Sequence, residues 1–231
     1  MCTAIILAGG FGTRLRKAVH DVPKPMAPIK GKPFLEYLMD YWISQGVNSF
    51  ILSVGYKHRK IIDYFGYDYR GTSIDYCIED FPLGTGGGLL KAIELVDQKN
   101  SIIVINGDTF FEVDLKTLKA FHEQKNSSFT LALIKNNGTR YMGIMVDSDG
   151  VILSLNDNKK LSKLANGGVY LINPRALDLS RDFSGNKISL EDDILPALMA
   201  RKMPIFGLEF DGRFIDIGIP EDYIRAASII D

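Results

Sequence analysis

Residues 7–25 read Leu-Ala-Gly-Gly-Phe-Gly-Thr-Arg-Leu-Arg-Lys-Ala-Val-His-Asp-Val-Pro-Lys-Pro. Three glycines, Gly9, Gly10 and Gly12, let the backbone approach a ligand closely and turn several N–H groups into one concavity. Arg14 and Lys24 add two positive charges at the exit of that loop. Bare backbone with Arg and Lys beside it is suited to holding a polyphosphate. Two familiar nucleotide motifs fail here. Leu15 stands where the dinucleotide fingerprint needs its third glycine, and Gly31-Lys32 is followed by Pro33 rather than Ser or Thr. Pro82-Leu83-Gly84-Thr85-Gly86-Gly87-Gly88 forms a second glycine-rich turn, expected to open a helix at about Leu89. Two carboxylates lie beside apolar runs: Asp108 after Ile102–Ile105, and Asp216 within Phe214–Gly218. Burying a carboxylate is costly unless it is paired or binds a cation. Mg²⁺ characteristically takes one or two carboxylates together with substrate phosphates, so Asp108 and Asp216 match that ligand count if the fold brings them together.

The elements needed to position these residues follow a βα rhythm. Ala4-Ile5-Ile6-Leu7 has the continuous apolar character of a buried parallel strand. A helix is predicted over Pro33–Ile43, a strand over Phe50–Val54, a helix over Arg59–Phe65 and a strand over Ile74–Ile78. A helix over Gly88–Val96 and a strand over Ile102–Ile105 follow. This alternation implies a single Rossmann-like, mostly parallel sheet with helices on both faces, an α/β fold. In an open sheet of this kind ligands sit outside the carboxyl ends of the strands, so both glycine loops should reach one crevice. From about residue 131 the chain changes character. Strands at Thr130–Ile134, Gly143–Val146, Val151–Leu155 and Val169–Ile172 come close together, suggesting a smaller β-rich lobe for an acceptor. A helix at Leu190–Ala200, a strand at Ile205–Leu208, the segment Arg213–Ile217 and a final helix from Pro220 complete one domain, 1–231. Its first 130 or so residues form the nucleotide-binding part.

Composition narrows the function classes. The chain has 231 residues, 46% of them apolar, and a formal net charge of −1. No broad basic field is present, so nucleic acid is not an expected partner. No apolar run approaches a membrane span and no basic segment precedes the N-terminal apolar stretch, so the expectation is a cytoplasmic protein without a signal peptide. Cys2 and Cys77 lack metal-ligand spacing, and Cys77 reads as a small buried hydrophobe. His20, His58 and His122 lie in polar surroundings and are expected on the surface or in loops. Trp42 and its aromatic neighbours read as core or as subunit contact, leaving monomer and homodimer both open.

Gly-Gly-x-Gly-Thr-Arg-Leu with Pro-Lys-Pro downstream closely resembles the signature of the sugar-1-phosphate nucleotidylyltransferases, and the resemblance runs from Ala4 to about Ala227. It implies the nucleotide-diphospho-sugar transferase fold and two substrates, a nucleoside triphosphate and a sugar 1-phosphate. It also implies Mg²⁺, held by Asp108 and Asp216. On this resemblance Leu7, Ala8, Gly9, Gly10, Gly12, Thr13, Pro82, Gly84, Thr85, Gly86 and Asp108 bind the nucleotide. Arg14 and Lys24 are the catalytic cations, Arg14 on the β- and γ-phosphates and Lys24 between the α-phosphate and the acceptor phosphate. The segments Arg140-Tyr141-Met142-Gly143 and Asn166-Gly167-Gly168-Val169-Tyr170 look like sugar-contact elements, as does Glu191. Many relatives carry Phe-x-Glu-Lys ahead of the Asn-Gly-Gly strand; here Asp157 stands for the Glu and Asn158 for the Lys. Lys159, Lys160 and Lys163 are the candidate substitutes.

Glu79, just before the second glycine loop, could accept both adjacent donors of guanine, N1–H and the N2 amine. Length and the runs Pro-Lys-Pro-Met-Ala-Pro and Phe-Ile-Asp-Ile-Gly-Ile-Pro-Glu-Asp-Tyr are most similar to bacterial D-glycero-D-manno-heptose 1-phosphate guanylyltransferases. Uridylyltransferases acting on N-acetylmuramate 1-phosphate are the next most similar. Two other classes are disfavoured. Asp108-Thr109-Phe110 is not the Asp-x-Asp of many glycosyltransferases, and a nucleotide-sugar sensor would be expected to have lost Arg14, Lys24 or an Asp.

Overall fold

The computed structural model describes residues 2–10, 12, 15, 19, 21–136, 141–156, 162–178 and 187–230. Strand β1 (Thr3–Ala8) is followed by a short hairpin, β2 (Pro28–Ile29) and β3 (Lys32–Pro33), and by α1 (Phe34–Ser44). Next come β4 (Ser49–Val54), α2 (His58–Phe65), β5 (Asp68–Tyr69), β6 (Thr72–Ile78) and α3 (Gly84–Ala92). β7 (Ile102–Asn106) and β8 (Thr109–Phe111) precede α4 (Leu115–Gln124). The second half holds β9 (Phe129–Lys135), β10 (Gly143–Val146), β11 (Ile152–Ser154) and β12 (Leu164–Ile172). A π turn over Leu190–Ile194 then runs into α5 (Leu195–Ala200), followed by β13 (Ile205–Glu209), β14 (Phe214–Asp216) and α6 (Pro220–Ile229).

β6, β4, β1 and β7 form the parallel centre of a ten-stranded sheet. Along β1, Ala4, Ile6 and Ala8 sink into one apolar cluster while Ile5 enters a second. Both faces are covered, which is why this strand reads as an unbroken apolar run. Helix α1 covers the first face through Phe34, Leu35, Leu38, Met39 and Trp42, and α3, the π turn and α5 cover the second through Leu89, Leu190, Ile194 and Leu198. Trp42 is 1% exposed and meets Tyr41 edge to face at 5.4 Å, so it is core. The β-rich second half continues the same sheet: β12 runs antiparallel to β7 on one side and to β9 on the other, with β13 beyond β9.

Two elements depart from the sequence reading. α3 starts at Gly84, not near Leu89. Gly86 and Gly88 fall on its first turns because a Cβ there would come within 2.9 Å of Ile188 and 2.8 Å of Ser53, so close packing overrides their poor helix propensity. α4 adds a helix not read from the sequence. Asp114 caps it, accepting from the Thr117 N–H at 2.6 Å, and Leu115, Leu118 and His122 lie on its buried face. His122, expected at the surface, is therefore 4% exposed. Its ring reaches Thr130 Oγ1 at 2.8 Å and Ser101 Oγ at 3.2 Å, and burial pushes its pKa down to about 4, which keeps it neutral. Cys77 is buried as expected.

Candidate active site

The parallel registers bring the carboxyl ends of the central strands level. Ala8 pairs with Val54, Val54 with Ile78, and Leu7 with Asn106, so the loops following these strands open on one crevice. Three adjoining cavities occupy it. One of about 810 Å³ is lined by Gly9, Gly10, Gly12, Glu79, Pro82, Gly84 and Thr85, and by the facing segment Lys187–Ser189. One of about 260 Å³ lies over Leu7, Ala8, Gly10, Gly12, Lys24, Asp108 and Gly218. The third, about 470 Å³, is walled by Asn106, Asp108, Tyr141, Met142, Asn166, Gly168, Glu191, Phe214 and Asp216. Asp108 lines both of the last two and so marks the seam between them.

Lys24 is held at that seam by its backbone. Pro23 and Pro25 flank it in a 3₁₀ turn, Lys24–Met26, which limits the local dihedrals. Gly12, at φ +57°, lies against its stem; a Cβ there would come within 2.9 Å of Lys24 Cβ. The Lys24 side chain is only 11% exposed, and its ammonium contacts Asp108 Oδ2 at 2.5 Å and Asp216 Oδ1 at 3.6 Å. The two aspartates, remote in sequence, meet through the antiparallel pairing of β8 and β14, which sets Asp216 opposite Thr109. The Ile217 N–H donates to the Asp108 carbonyl, and the Gly218 N–H donates to Asp216 Oδ1 at 2.6 Å. Two oxygen-donor carboxylates on one cationic group suit a small hard cation as well as the ammonium. Among the described residues no cluster of three or more His, Cys, Asp or Glu side chains offers an alternative metal site.

Glu79 sits between the two glycine loops. Its carboxylate accepts from Ser53 Oγ at 2.9 Å and from the Leu83 N–H at 3.1 Å. A Cβ on Gly9 would fall inside this carboxylate, and one on Gly88 would come within 2.9 Å of it. The glycines of both loops thus leave room for the Glu79 carboxylate in this position. Glu191 is shared: it lines the largest cavity and the third one. Thr85 Oγ1 donates to its Oε2 at 2.9 Å, and the Tyr170 hydroxyl donates to its Oε1 at 2.9 Å.

Most of the residues expected from the sequence therefore converge on the crevice. Gly86, Gly143 and Gly167 do not line it. Gly86 packs on Ile188, Gly143 pairs with Ala165 in the β10–β12 ladder, and Gly167 leaves room for the Phe111 ring. Lys163 is exposed and lines a separate cleft with Lys135 and Glu209. Thr13, Arg14, Arg140 and residues 157–160 lie outside the described residues. Asn106 was not singled out from the sequence as a site residue, and Tyr170 entered only as the last residue of the Asn166–Tyr170 segment, with no role of its own. Tyr170 is concealed in the apolar run Val169–Ile172, while Asn106 stands openly at the end of a buried strand, the usual place for a ligand-facing residue.

Comparison with known proteins agrees with this geometry. The family described as nucleotidyl transferase matches residues 3–231. The D-glycero-alpha-D-manno-heptose 1-phosphate guanylyltransferase of Aneurinibacillus thermoaerophilus is 42% identical over 224 residues, covering 96% of both chains. Its namesake from Campylobacter jejuni is 42% identical over 223 residues, covering 95% of this chain and 96% of the relative. The crystal structure of HddC from Yersinia pseudotuberculosis complexed with GMP-PN superposes with a TM-score of 0.84 at 36% identity, covering 99% of each chain. A family match over nearly the full length, with two glycine loops, a lysine and two aspartates gathered on one crevice, places this chain in the nucleotidyl transferase family.

Proposed function

We propose that this protein joins GTP to D-glycero-α-D-manno-heptose 1-phosphate, releasing pyrophosphate and leaving a guanosine diphosphate sugar. The observation that carries the reading is the seam. Lys24, Asp108 and Asp216 meet where a glycine-lined cavity adjoins a cavity walled by hydrogen-bonding side chains. The 42% identity to heptose 1-phosphate guanylyltransferases over nearly the whole chain supports this particular substrate pair. Glu79, held open toward the nucleotide side, is the residue suited to guanine because an ionised carboxylate is acceptor-only.

In this reaction an oxygen of the sugar phosphate attacks the α-phosphorus of GTP. The new O–P bond forms as the α–β bridging bond breaks, and pyrophosphate leaves with the electron pair. The nucleophile is already anionic near neutral pH and needs no general base. Alignment and charge neutralisation are then the main catalytic resources. Lys24 would stabilise the crowded negative charge of the α-phosphate and the acceptor phosphate, and N–H groups of the first glycine loop would cradle the triphosphate. Arg14, from its place in the motif, is assigned to the leaving group. Asp108 and Asp216 would hold Mg²⁺, which supplies Lewis-acid neutralisation of phosphate charge. Tyr141, Asn166 and Glu191 would receive the sugar. A reaction drawing on GTP would run in the cytoplasm.

The test is pyrophosphate release with Mg²⁺, crossing GTP, UTP, CTP, dTTP and ATP with heptose, mannose, glucose and N-acetylmuramate 1-phosphates. Release with GTP and the heptose phosphate alone is the expected result. A preferred pair containing UTP and N-acetylmuramate 1-phosphate would instead keep the chemistry and overturn the specificity.

A further inference from the structure

The two substrate cavities are joined by a chain of hydrogen bonds that runs through a residue touching neither. Tyr170 on β12 is 0% exposed and lines none of the three cavities. Its hydroxyl donates to Glu191 Oε1 at 2.9 Å and accepts from Asn166 Nδ2 at 2.6 Å. Glu191 Oε2 in turn accepts from Thr85 Oγ1, and Thr85 Oγ1 accepts from the Leu190 N–H at 2.9 Å. One chain thus links the second glycine loop to the residues facing the acceptor cavity.

The directions in this chain are fixed. Burial beside the Glu191 carboxylate raises the Tyr170 pKa well above its ordinary value, so the phenol stays protonated. It has one proton and two lone pairs. The proton goes to Glu191, so Asn166 must present its amide nitrogen to Tyr170 and turn its carbonyl oxygen elsewhere. Asn166 Oδ1 finds the Gly168 N–H at 2.9 Å. Asn106 Oδ1 finds nothing; it is the one buried side-chain polar atom without a partner among the described residues. Asn106 lies on the wall common to the phosphate and acceptor cavities.

We propose that Tyr170 is a positioning residue for acceptor recognition, its hydroxyl orienting Glu191 as an acceptor for the hydroxyl groups of the sugar 1-phosphate. The inference rests on the reading of the protein as a sugar-1-phosphate nucleotidyltransferase and does not depend on which sugar it takes. Tyr170→Phe keeps the ring and removes only the hydroxyl. With whichever substrate pair the wild-type protein turns over, KM for the sugar phosphate should rise about tenfold, roughly one hydrogen bond to a charged acceptor. kcat and KM for the nucleotide should stay within about threefold of the wild type. Glu191→Gln should raise the same KM, and the double variant should match Glu191→Gln alone, because Tyr170 acts through Glu191.

A sugar-phosphate KM left unchanged in folded Tyr170→Phe overturns the proposal, as do equal rises in both KM values or additive effects in the double variant. Should Tyr170→Phe fail to fold, an unchanged sugar-phosphate KM in Glu191→Gln overturns it as well. Absence of wild-type turnover with every pair would overturn the nucleotidyltransferase reading itself, and this proposal with it.

Discussion

The assignment of Glu79 to the guanine base can be tested with a single atom group on the substrate side. Inosine triphosphate keeps the N1–H of guanine and lacks only the N2 amine. If the Glu79 carboxylate accepts from both, ITP loses one hydrogen bond to a charged acceptor, worth about 1.5–3 kcal/mol, or about 10- to 150-fold in kcat/KM. The structure favours the upper part of this range. The carboxylate is already oriented by Ser53 Oγ and the Leu83 N–H, and is pressed between Gly9 and Gly88, so little ordering remains to be done on binding. Glu79→Ala removes the acceptor altogether. GTP should then fall further than ITP, and their ratio should collapse toward unity in a pyrophosphate-release assay. The ratio separates recognition from bracing. Were Glu79 only a strut between the two loops, its loss would lower both nucleotides alike. An unchanged GTP:ITP ratio in a variant with a wild-type melting profile would falsify the assignment.

Three further outcomes follow from neighbouring geometry. Gly9→Ala sets a Cβ inside the Glu79 carboxylate, so it should raise KM for GTP at least tenfold and blunt the GTP:ITP ratio, whereas a near-wild-type KM would show that the carboxylate moves freely. Lys24→Met removes the ammonium lying 2.5 and 3.6 Å from Asp108 and Asp216; turnover should drop by about 10²-fold or more. Mn²⁺ binding followed by electron paramagnetic resonance without nucleotide should nevertheless tighten, since a competing cation is gone, and weaker binding would refute the pairing of these carboxylates as a cation site. His122 carries a pH signature. Its folded pKa of about 4 lies below the unfolded value of about 6.5, so its contribution to stability is intact above pH 6.5 and is lost as pH falls toward 4. Between pH 7.5 and 4.5 urea unfolding should register a loss of a few kcal/mol from this residue, seen as the difference from His122→Gln, and an equal loss in both proteins would count against it.

What the sequence disclosed depended on how local each feature was. The buried run at β1, the helix after Pro33 and the helix after Pro220 are written in consecutive residues, and their ends agree closely. α4 was marked too, by Asp114 three residues before Thr117 and by leucines at 115 and 118, but its polar outer face masks the stripe. His122 shows what that omission hides. A histidine among charged neighbours reads as exposed until the helix phase is known. The encounter of Asp108 with Asp216 could not be read from either motif, because it depends on the pairing of β8 with β14 across the intervening half of the chain. The role of Tyr170 was less legible still, since a tyrosine in an apolar strand differs from its neighbours only by a hydroxyl, here joining Asn166 on the same strand to Glu191 on the π turn.

The glycines carry the sharpest lesson about motif reading. A glycine-rich loop beside an arginine and a lysine suggests backbone bared for phosphate, and Gly10 does stand open with nothing near the position of a Cβ. Gly9, Gly88 and Gly12 are constrained from the protein side: the first two by Glu79 and the third by the stem of Lys24. The same residue type thus serves two physical ends within one motif. The distinction has consequences for substitution. At Gly10 an added methyl group would meet only a ligand, so Gly10→Ala should affect nucleotide KM and spare stability. At Gly9 the methyl group meets a charged side chain with two hydrogen bonds to lose, so stability and base discrimination should fall together.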